Sequence, residues 1–283
     1  MKPYVPALVV VTATGNLAEA LPRIARWQSL ASFDWPLVIV ENGGVTDLRP
    51  DAQSFIVERS QAWLGSVPAM SVAMQAARLR FGQRADVVVA LHDDVEIDQE
   101  GWDAEVLSHF ANHPQCGLAG FSGALGLGSD DIYQAPYSPM QLARQGFRSN
   151  LREAEAHGIR SLQAERVICH DGFSLIGRAS WWLYGKKGSG KSAMPPWEVL
   201  TAAGLKHHAQ DSLMGLLAHQ AGWESWYLPV SCHHLGGRTA VANRSYTEWA
   251  LTQEVGGDQG YWEQAHRAFY ELGRGILPLR VER

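Results

Sequence analysis

The chain has 283 residues, 46% hydrophobic and 19% charged, enough to bury a full-sized core in one α/β catalytic domain followed by a tail. Its formal net charge of −5, with basic residues scattered along the chain, argues against a nucleic-acid partner. No segment approaches the roughly 18 to 20 apolar residues of a membrane span, so no transmembrane segment is expected. The start, MKPYVPALVVVTATGN, lacks a cleavage site, and the three separated cysteines Cys116, Cys169 and Cys232 fit neither a disulfide framework nor a zinc knuckle; a soluble, cytoplasmic protein is expected.

Short β-branched runs alternate with longer amphipathic stretches in chain order. A strand from Leu8 to Thr12 precedes a helix from Asn16 to Leu30, where Asn16 and Glu19 have capping-box spacing. Strands follow at Leu37 to Glu41 and Ser54 to Val57, then a helix from Ser66 to Phe81 that Ser66 can cap, with Pro68 in its first turn. The strand Asp86 to Leu91 and the helix Glu100 to Phe110 continue the rhythm. After Cys116 to Phe121 comes a Gly, Asp, Tyr and Pro-rich loop, then a polar helix from about Met140 to His157. Strands at Arg166 to Cys169 and Phe173 to Ile176, a helix from Gln210 to Gln220, and a strand from Ser225 to Cys232 complete the pattern. Two short helices, near Tyr246 to Glu254 and Tyr261 to Leu272, form the tail. The alternation predicts a mainly parallel sheet flanked by helices.

The segment ADVVVALHDDVEI runs five apolar residues, Val87 to Leu91, into His92, Asp93, Asp94 and Glu96. Carboxylates at the carboxyl end of a parallel strand lie where open α/β sheets bind ligands. Two adjacent aspartates point either to a hard divalent ion, Mg2+ or Mn2+, shared with a diphosphate, or to an acidic turn in which Asp caps the next helix.

In its chain context this segment resembles the acidic metal-binding motif of glycosyltransferase family 2. LVVVTATGN and PLVIVENGG resemble the first two strands of that family's nucleotide half, GSVPAMSVAMQAAR its next helix, and HDGFSLIGRASWW the strand and turn beneath its acceptor pocket. HHAQDSLMGLLAHQAGWESWYLPVSCHHLGG resembles its acidic helix start, Pro-containing strand and terminal His and Gly-Gly. The resemblance covers residues 7 to 237. It implies a GT-A (Rossmann-like) α/β fold with a mainly parallel mixed sheet, a transferase domain over 1–237, and a C-terminal helical extension over 238–283. The extension either packs across the acceptor side or forms the contact of a homodimer.

The implied activity is metal-dependent transfer of a sugar from a nucleotide-diphosphate sugar, a UDP-sugar favoured, to a glycan, lipid-linked or other acceptor hydroxyl, with inversion. Thr12, Ala13 and Glu41 or Asn42 would hold the base, Asp93 and Asp94 the donor, and Asp94 with His234 the Mn2+ or Mg2+ ion. His233 is the other imidazole available there. His170, Asp171, Gly172 and Trp181 would face the acceptor. The pattern departs from the family at Gln210, where an acid is common, and at His92, which begins the acidic motif. Asp211 is the implied general base; its alternative role is a helix N-cap. His207 and His208 lie close to it in sequence.

Two rival readings stand beside this one. GKKGSGKS, Gly185 to Ser192, satisfies the phosphate-loop pattern of nucleotide hydrolases, but Pro195 and Pro196 forbid the continuous helix that such a loop must open. It reads instead as a mobile loop over the donor site in which Lys186, Lys187 or Lys191 touches phosphate. Trp181, Trp182, Trp197, Trp223 and Trp226, placed around the acceptor side, also fit a non-catalytic sugar-binding module.

Overall fold

The structure is a computed structural model that describes residues 2–43, 55–128, 147–152, 159–207, 209–236 and 258–281. Strands β1 (Leu8–Thr14), β2 (Leu37–Asn42), β3 (Phe55–Ser60), β4 (Val87–Leu91), β5 (Val95–Ile97) and β6 (Cys116–Gly120) alternate with helices α1 (Leu17–Leu30), α2 (Ser66–Phe81) and α3 (Trp102–Asn112). Five short strands follow: β7 (Ser122–Gly123), β8 (Gly126–Leu127), β9 (Arg148–Ser149), β10 (Ile159–Arg160) and β11 (Glu165–Val167). Then come β12 (Ser174–Arg178), α4 (Ala179–Trp182), α5 (Pro196–Ala202), α6 (Gln210–Gln220), β13 (Glu224–Tyr227), β14 (Cys232–His234), α7 (Asp258–Gly273) and β15 (Leu279–Arg280).

The main sheet has eight strands in the order β11-β13-β6-β12-β4-β1-β2-β3, and it is the expected mainly parallel α/β sheet flanked by helices. Every residue of β2 and β4 is buried; a strand covered by helices on both faces favours a continuous apolar run, as in Leu37 to Val40 and Val87 to Leu91, and the buried polar Glu41 and Asn42 come only at the carboxyl end of β2. Val9 and Val11 of β1 join the core beneath α2, while Leu8 and Val10 join the one beneath α1 and α3, with Trp27, Trp35 and Trp102.

Two strands run against the rest, β11 at the edge beside β13 and β12 inside the sheet. β12 lies antiparallel between β4 and β6, with Ser174 opposite Leu91 and Arg178 opposite Val87. Residues just before β12 are therefore delivered to the carboxyl end of β4, and those just after it to the amino end, where Ala179 N–H donates to Asp86 O at 2.8 Å.

Helix starts follow the sequence only in part. Asn16 caps α1, its Oδ1 accepting from Glu19 N–H at 3.4 Å and its Nδ2 donating to Glu19 Oε1 at 3.0 Å. Ser66 does not cap α2: the N-cap is Gly65 at φ 91, where a Cβ would lie 2.3 Å from Lys206 O. That carbonyl accepts from Val67 N–H at 3.0 Å, doing from a distant loop what a capping side chain does locally. Nor is Asp211 an N-cap. Ala209 holds that position at φ 53, and Asp211 lies inside the first turn of α6.

The helix expected over Met140 to His157 is contradicted where the structure describes it. Arg148 and Ser149 form β9, paired with β7 and β10, and Leu151 bridges to Cys232; tertiary pairing overrides a weak local helical preference. The single strand expected from Ser225 to Cys232 is two, β13 and β14, broken around Pro229. The tail helix expected near Tyr246 to Glu254 lies outside the described residues. α7 sends Ala265 and Phe269, 1% and 0% exposed, into the core beneath α2 and α6, and β15 pairs with β8. No described helix is long and apolar enough to cross a membrane.

Candidate functional site

The chain order leaves β1 between β2 on one side and β4 on the other, so the β1–β4 boundary is a topological switch point whose carboxyl end opens as a crevice. There β4 ends and His92 N–H donates to Phe173 O at 2.9 Å, prolonging the β4–β12 ladder by one residue. The chain turns through Asp93 and Asp94 into β5, which pairs antiparallel with β14 and sets His234 opposite Val95. The turn and the pairing bring together groups far apart in sequence. His92, Asp94 and His234 each place a ligand-capable atom within 4.8 Å of the others.

The trio is held from behind. The His234 ring stacks on Phe173, centroids 4.8 Å apart and planes 24° apart, and meets the His92 ring edge-on at 5.8 Å. His234 Nε2 lies 3.3 Å from Asp94 Oδ1. That oxygen is buried and turned toward the imidazole. Burial lowers the His92 pKa from its ordinary value, so its imidazole is neutral near pH 7 and carries a free lone pair. Burial pushes the Asp94 carboxyl up, and His234 and His92 outweigh it, so that the carboxylate is ionised. An ionised oxygen, a neutral imidazole nitrogen and a second imidazole converging on one point fit a divalent cation.

Asp93 turns the other way. Its Oδ2 accepts from Thr14 Oγ1 at 2.6 Å, and its main-chain carbonyl accepts from Arg23 Nε. Burial, with the Asp94 charge as a further contribution, pushes its carboxyl up to about 6.

These groups form one wall of a cavity of about 220 Å³. Ala13 and Asn42 line it from the ends of β1 and β2, Ser66 and Met70 from the first turns of α2, Gly172 and Leu175 from the entry to β12, and Gln210 from α6; Trp63, Trp197 and His207 close the rim. Asp211 adjoins this space beside Gly172, on which a Cβ would sit 3.7 Å from Asp211 Oδ2 and 3.3 Å from Gln210 Nε2. Burial, and next the charge of Asp171, push the Asp211 carboxyl up to about 6, while N–H groups of Ser212 and Gly172 hold it in place.

Of the residues singled out from sequence, Ala13, Asn42, Asp93, Asp94, Gly172 and His234 line this one cavity, and Asp171 and Asp211 lie beside it. Asn42 acts on the wall itself: its Oδ1 accepts from Leu64 N–H at 2.8 Å and its Nδ2 donates to Gly65 O at 3.3 Å, fixing the approach to α2. Four expected contacts are corrected. Thr12 is fully buried in β1, and Glu41 is fully buried in an ion pair with Arg59 at 3.3 Å. His170 is a core histidine whose Nδ1 pairs with Ser122 O at 2.8 Å. Trp181 is buried in α4, at the opposite end of the sheet, because β12 runs antiparallel.

The lysine-rich segment is corrected for the same reason. Lys186 and Ser192 form an antiparallel bridge, Lys187 N–H donates to Lys191 O at 2.7 Å, and Gly188 N–H donates to Ala221 O at 2.9 Å. It is a tight hairpin at the carboxyl end of α6, while Asp211 is at the amino end; 11 residues of helix separate them by about 16 Å. Neither a phosphate loop nor a donor lid is built there. Of the five tryptophans expected on the acceptor side, Trp197 lines the cavity; Trp226 packs on His109 and His113, and Trp223 bonds to Lys186 O.

Sequence reading missed His92 as a candidate ligand, Thr14 as the partner of Asp93, and Trp63 and Met70 as cavity wall. His92 had a signal: an imidazole two residues before an acid at a strand end has ligand chemistry of its own. His207 bonds to Ser66 Oγ through Nδ1 at 2.9 Å; His208 lies outside the described residues.

No family model and no curated protein matches the chain. Among solved structures, it is similar to the mannosyltransferase PcManGT from Pyrobaculum calidifontis in complex with GDP-Man and Mn2+, at 12% identity over 96% of this chain and 71% of that one, TM-score 0.48. It is also similar to A197 from STIV, at 10% identity over 81% of this chain and 82% of that one, TM-score 0.39.

Proposed function

We propose that the chain is a metal-dependent, inverting GT-A glycosyltransferase acting on a nucleoside-diphosphate sugar, with UDP-sugars the first donors to test. The observation that carries this reading is the shared cavity at the switch point: the His92, Asp94 and His234 cluster on one wall and the Gln210–Asp211 helix start on another. A leaving diphosphate and an attacking hydroxyl need those two chemistries on opposite sides of one reacting carbon.

Ala13, Asn42 and Trp63, all lining the cavity, are the residues we assign to the nucleoside, and Asp93, fixed by Thr14, faces the donor. A divalent ion held by Asp94 and the imidazoles would supply charge neutralisation for the diphosphate. Asp211 takes the proton of the acceptor hydroxyl. As it does so, the acceptor oxygen bonds to the anomeric carbon and the electron pair of the breaking carbon–oxygen bond leaves with the diphosphate. A carboxyl pushed up to about 6 is a stronger base than an ordinary one and is still ionised at pH 7. Asp171 and Gly172 border the acceptor side. Residues 1–237 form the transferase domain and 238–283 its extension, in keeping with the burial of Ala265 and Phe269 in the same core.

A thermal-shift panel of nucleoside diphosphates and nucleotide sugars, with and without Mn2+, tests the reading, because a ligand that binds only the folded state raises its stability. Metal-dependent stabilisation by at least one nucleotide sugar is expected, followed by sugar transfer or slow donor hydrolysis. Sugar binding that needs no metal, with no turnover, would instead identify a non-catalytic sugar-binding module.

A further inference from the structure

We propose that His92 is a metal ligand and that the resulting set of two imidazoles and one carboxylate makes the centre select a borderline transition ion, Co2+ or Zn2+, over Mn2+ and, most strongly, over Mg2+. This rests on the metal part of the proposed function but not on the transfer reaction.

The argument is one of donor chemistry and placement. Mg2+ requires oxygen donors in near-octahedral order, and Mn2+ is also well served by oxygen, whereas imidazole suits the later divalent ions. Two carboxylates stand side by side in sequence, yet the structure sends them apart: Asp93 Oδ2 is taken by Thr14 at 2.6 Å, leaving Asp94 as the one carboxylate in the described cluster. The other two donors are nitrogens. Phe173 positions both, its carbonyl receiving His92 N–H at 2.9 Å and its ring stacking on His234. Donors bound at about 2.0–2.2 Å to one ion stand about 3 Å apart, and His234 Nε2 and Asp94 Oδ1 are 3.3 Å apart. Asp94 is 4% exposed, and its buried Oδ1 faces His234 Nε2 at a spacing that two donors to one ion adopt.

The test uses the full chain, stripped with chelator and titrated with metal alone. Calorimetric competition gives affinities for Mg2+, Mn2+, Co2+ and Zn2+; visible absorption follows Co2+; pulsed electron paramagnetic resonance of the Cu2+-loaded wild type counts the bound imidazole nitrogens. Co2+ and Zn2+ should bind tightest and Mg2+ weakest, with two imidazoles detected. His92→Asp should narrow the Co2+ to Mg2+ ratio by at least about tenfold, since even losing an outer-shell partner costs about 10- to 100-fold. His92→Asn should alter the Co2+ spectrum. Mg2+ binding as tight as Co2+ to wild type, one imidazole in place of two, or no Co2+ binding would each overturn the proposal; the wild-type readouts decide it even if a variant fails to fold. Since no nucleotide is present, a failure of sugar transfer leaves the metal ranking standing, and a wrong ranking leaves sugar transfer standing.

Discussion

Thr14 donates a 2.6 Å hydrogen bond to Asp93 across the β1–β4 boundary, and this contact separates the tasks of two neighbouring aspartates. Thr14 is 1% exposed, so the acceptor it satisfies has little access to water. Thr14→Val keeps the shape of the side chain and removes the donor. The fold should lose about 1.5–3 kcal/mol, the range for a hydrogen bond to a charged group, while Thr14→Ser should stay near wild type. Urea denaturation in metal-free buffer measures this, and a Val variant as stable as wild type would show that the contact contributes nothing.

Asp94→Asn should abolish metal-dependent stabilisation while leaving the far-ultraviolet circular dichroism unchanged, because it removes the one anionic donor of the described cluster. Asp93→Asn should bind metal alone with a smaller loss. In wild type the affinity should fall as pH drops through the imidazole range, since ligands must be deprotonated. Calorimetric titration at several pH values is the check; unaltered binding by Asp94→Asn would remove it from the metal centre.

Asp211→Asn should lower the transfer rate by roughly 10² to 10⁴, the usual contribution of a general base, with nucleotide binding retained. Wild-type turnover should rise with pH up to about 6, where the Asp211 carboxyl ionises, and level off above. A full-rate variant would remove Asp211 from the mechanism.

Stability should move the opposite way. The folded carboxyl is raised from 3.8 to about 6, so the native state holds the proton more tightly than the unfolded chain, and wild type loses stability as pH rises from about 4 to about 6. That displacement represents at most about 3 kcal/mol, reduced by the side chain's partial solvent contact to on the order of 1 kcal/mol. Asp211→Asn should therefore be the more stable protein at pH 7.5 and lose its advantage near pH 4. Melting temperatures of both proteins at the two pH values decide the matter, and a variant less stable than wild type at pH 7.5 would contradict the burial and repulsion assigned to Asp211.

Lys191→Ala should leave nucleotide binding and transfer within about twofold, because the hairpin stands about 16 Å of helix away from Asp211. Gly185→Ala should destabilise by more than about 2 kcal/mol: Gly185 has φ 66, and a Cβ there would lie 1.8 Å from Ala193 O. Large loss of activity in a well-folded Lys191→Ala variant would restore a role for this lysine at the site.

The sequence alone determined the layers of the fold and the place of the site. Strands buried on both faces read as near-continuous apolar runs, so Leu8 to Val11, Leu37 to Val40 and Val87 to Leu91 announced a helix-covered sheet, and acids just past Leu91 had to lie at its carboxyl end. Asn16 and Glu19 announced a helix start because both partners lie within one turn. Tertiary structure decided what depends on chain direction and on distant partners. A strand's pattern has the same period whichever way it runs; only the antiparallel insertion of β12 sent Asp171 and Gly172 to the site, and Trp181 and the lysine hairpin to the far end. Gly65 in place of Ser66 as a cap depends on the Lys206 carbonyl, which no local pattern contains. The joining of His92 to Asp94 and His234 depends on the β5–β14 pairing, because a ligand set is a relation in space among residues that the chain itself keeps apart.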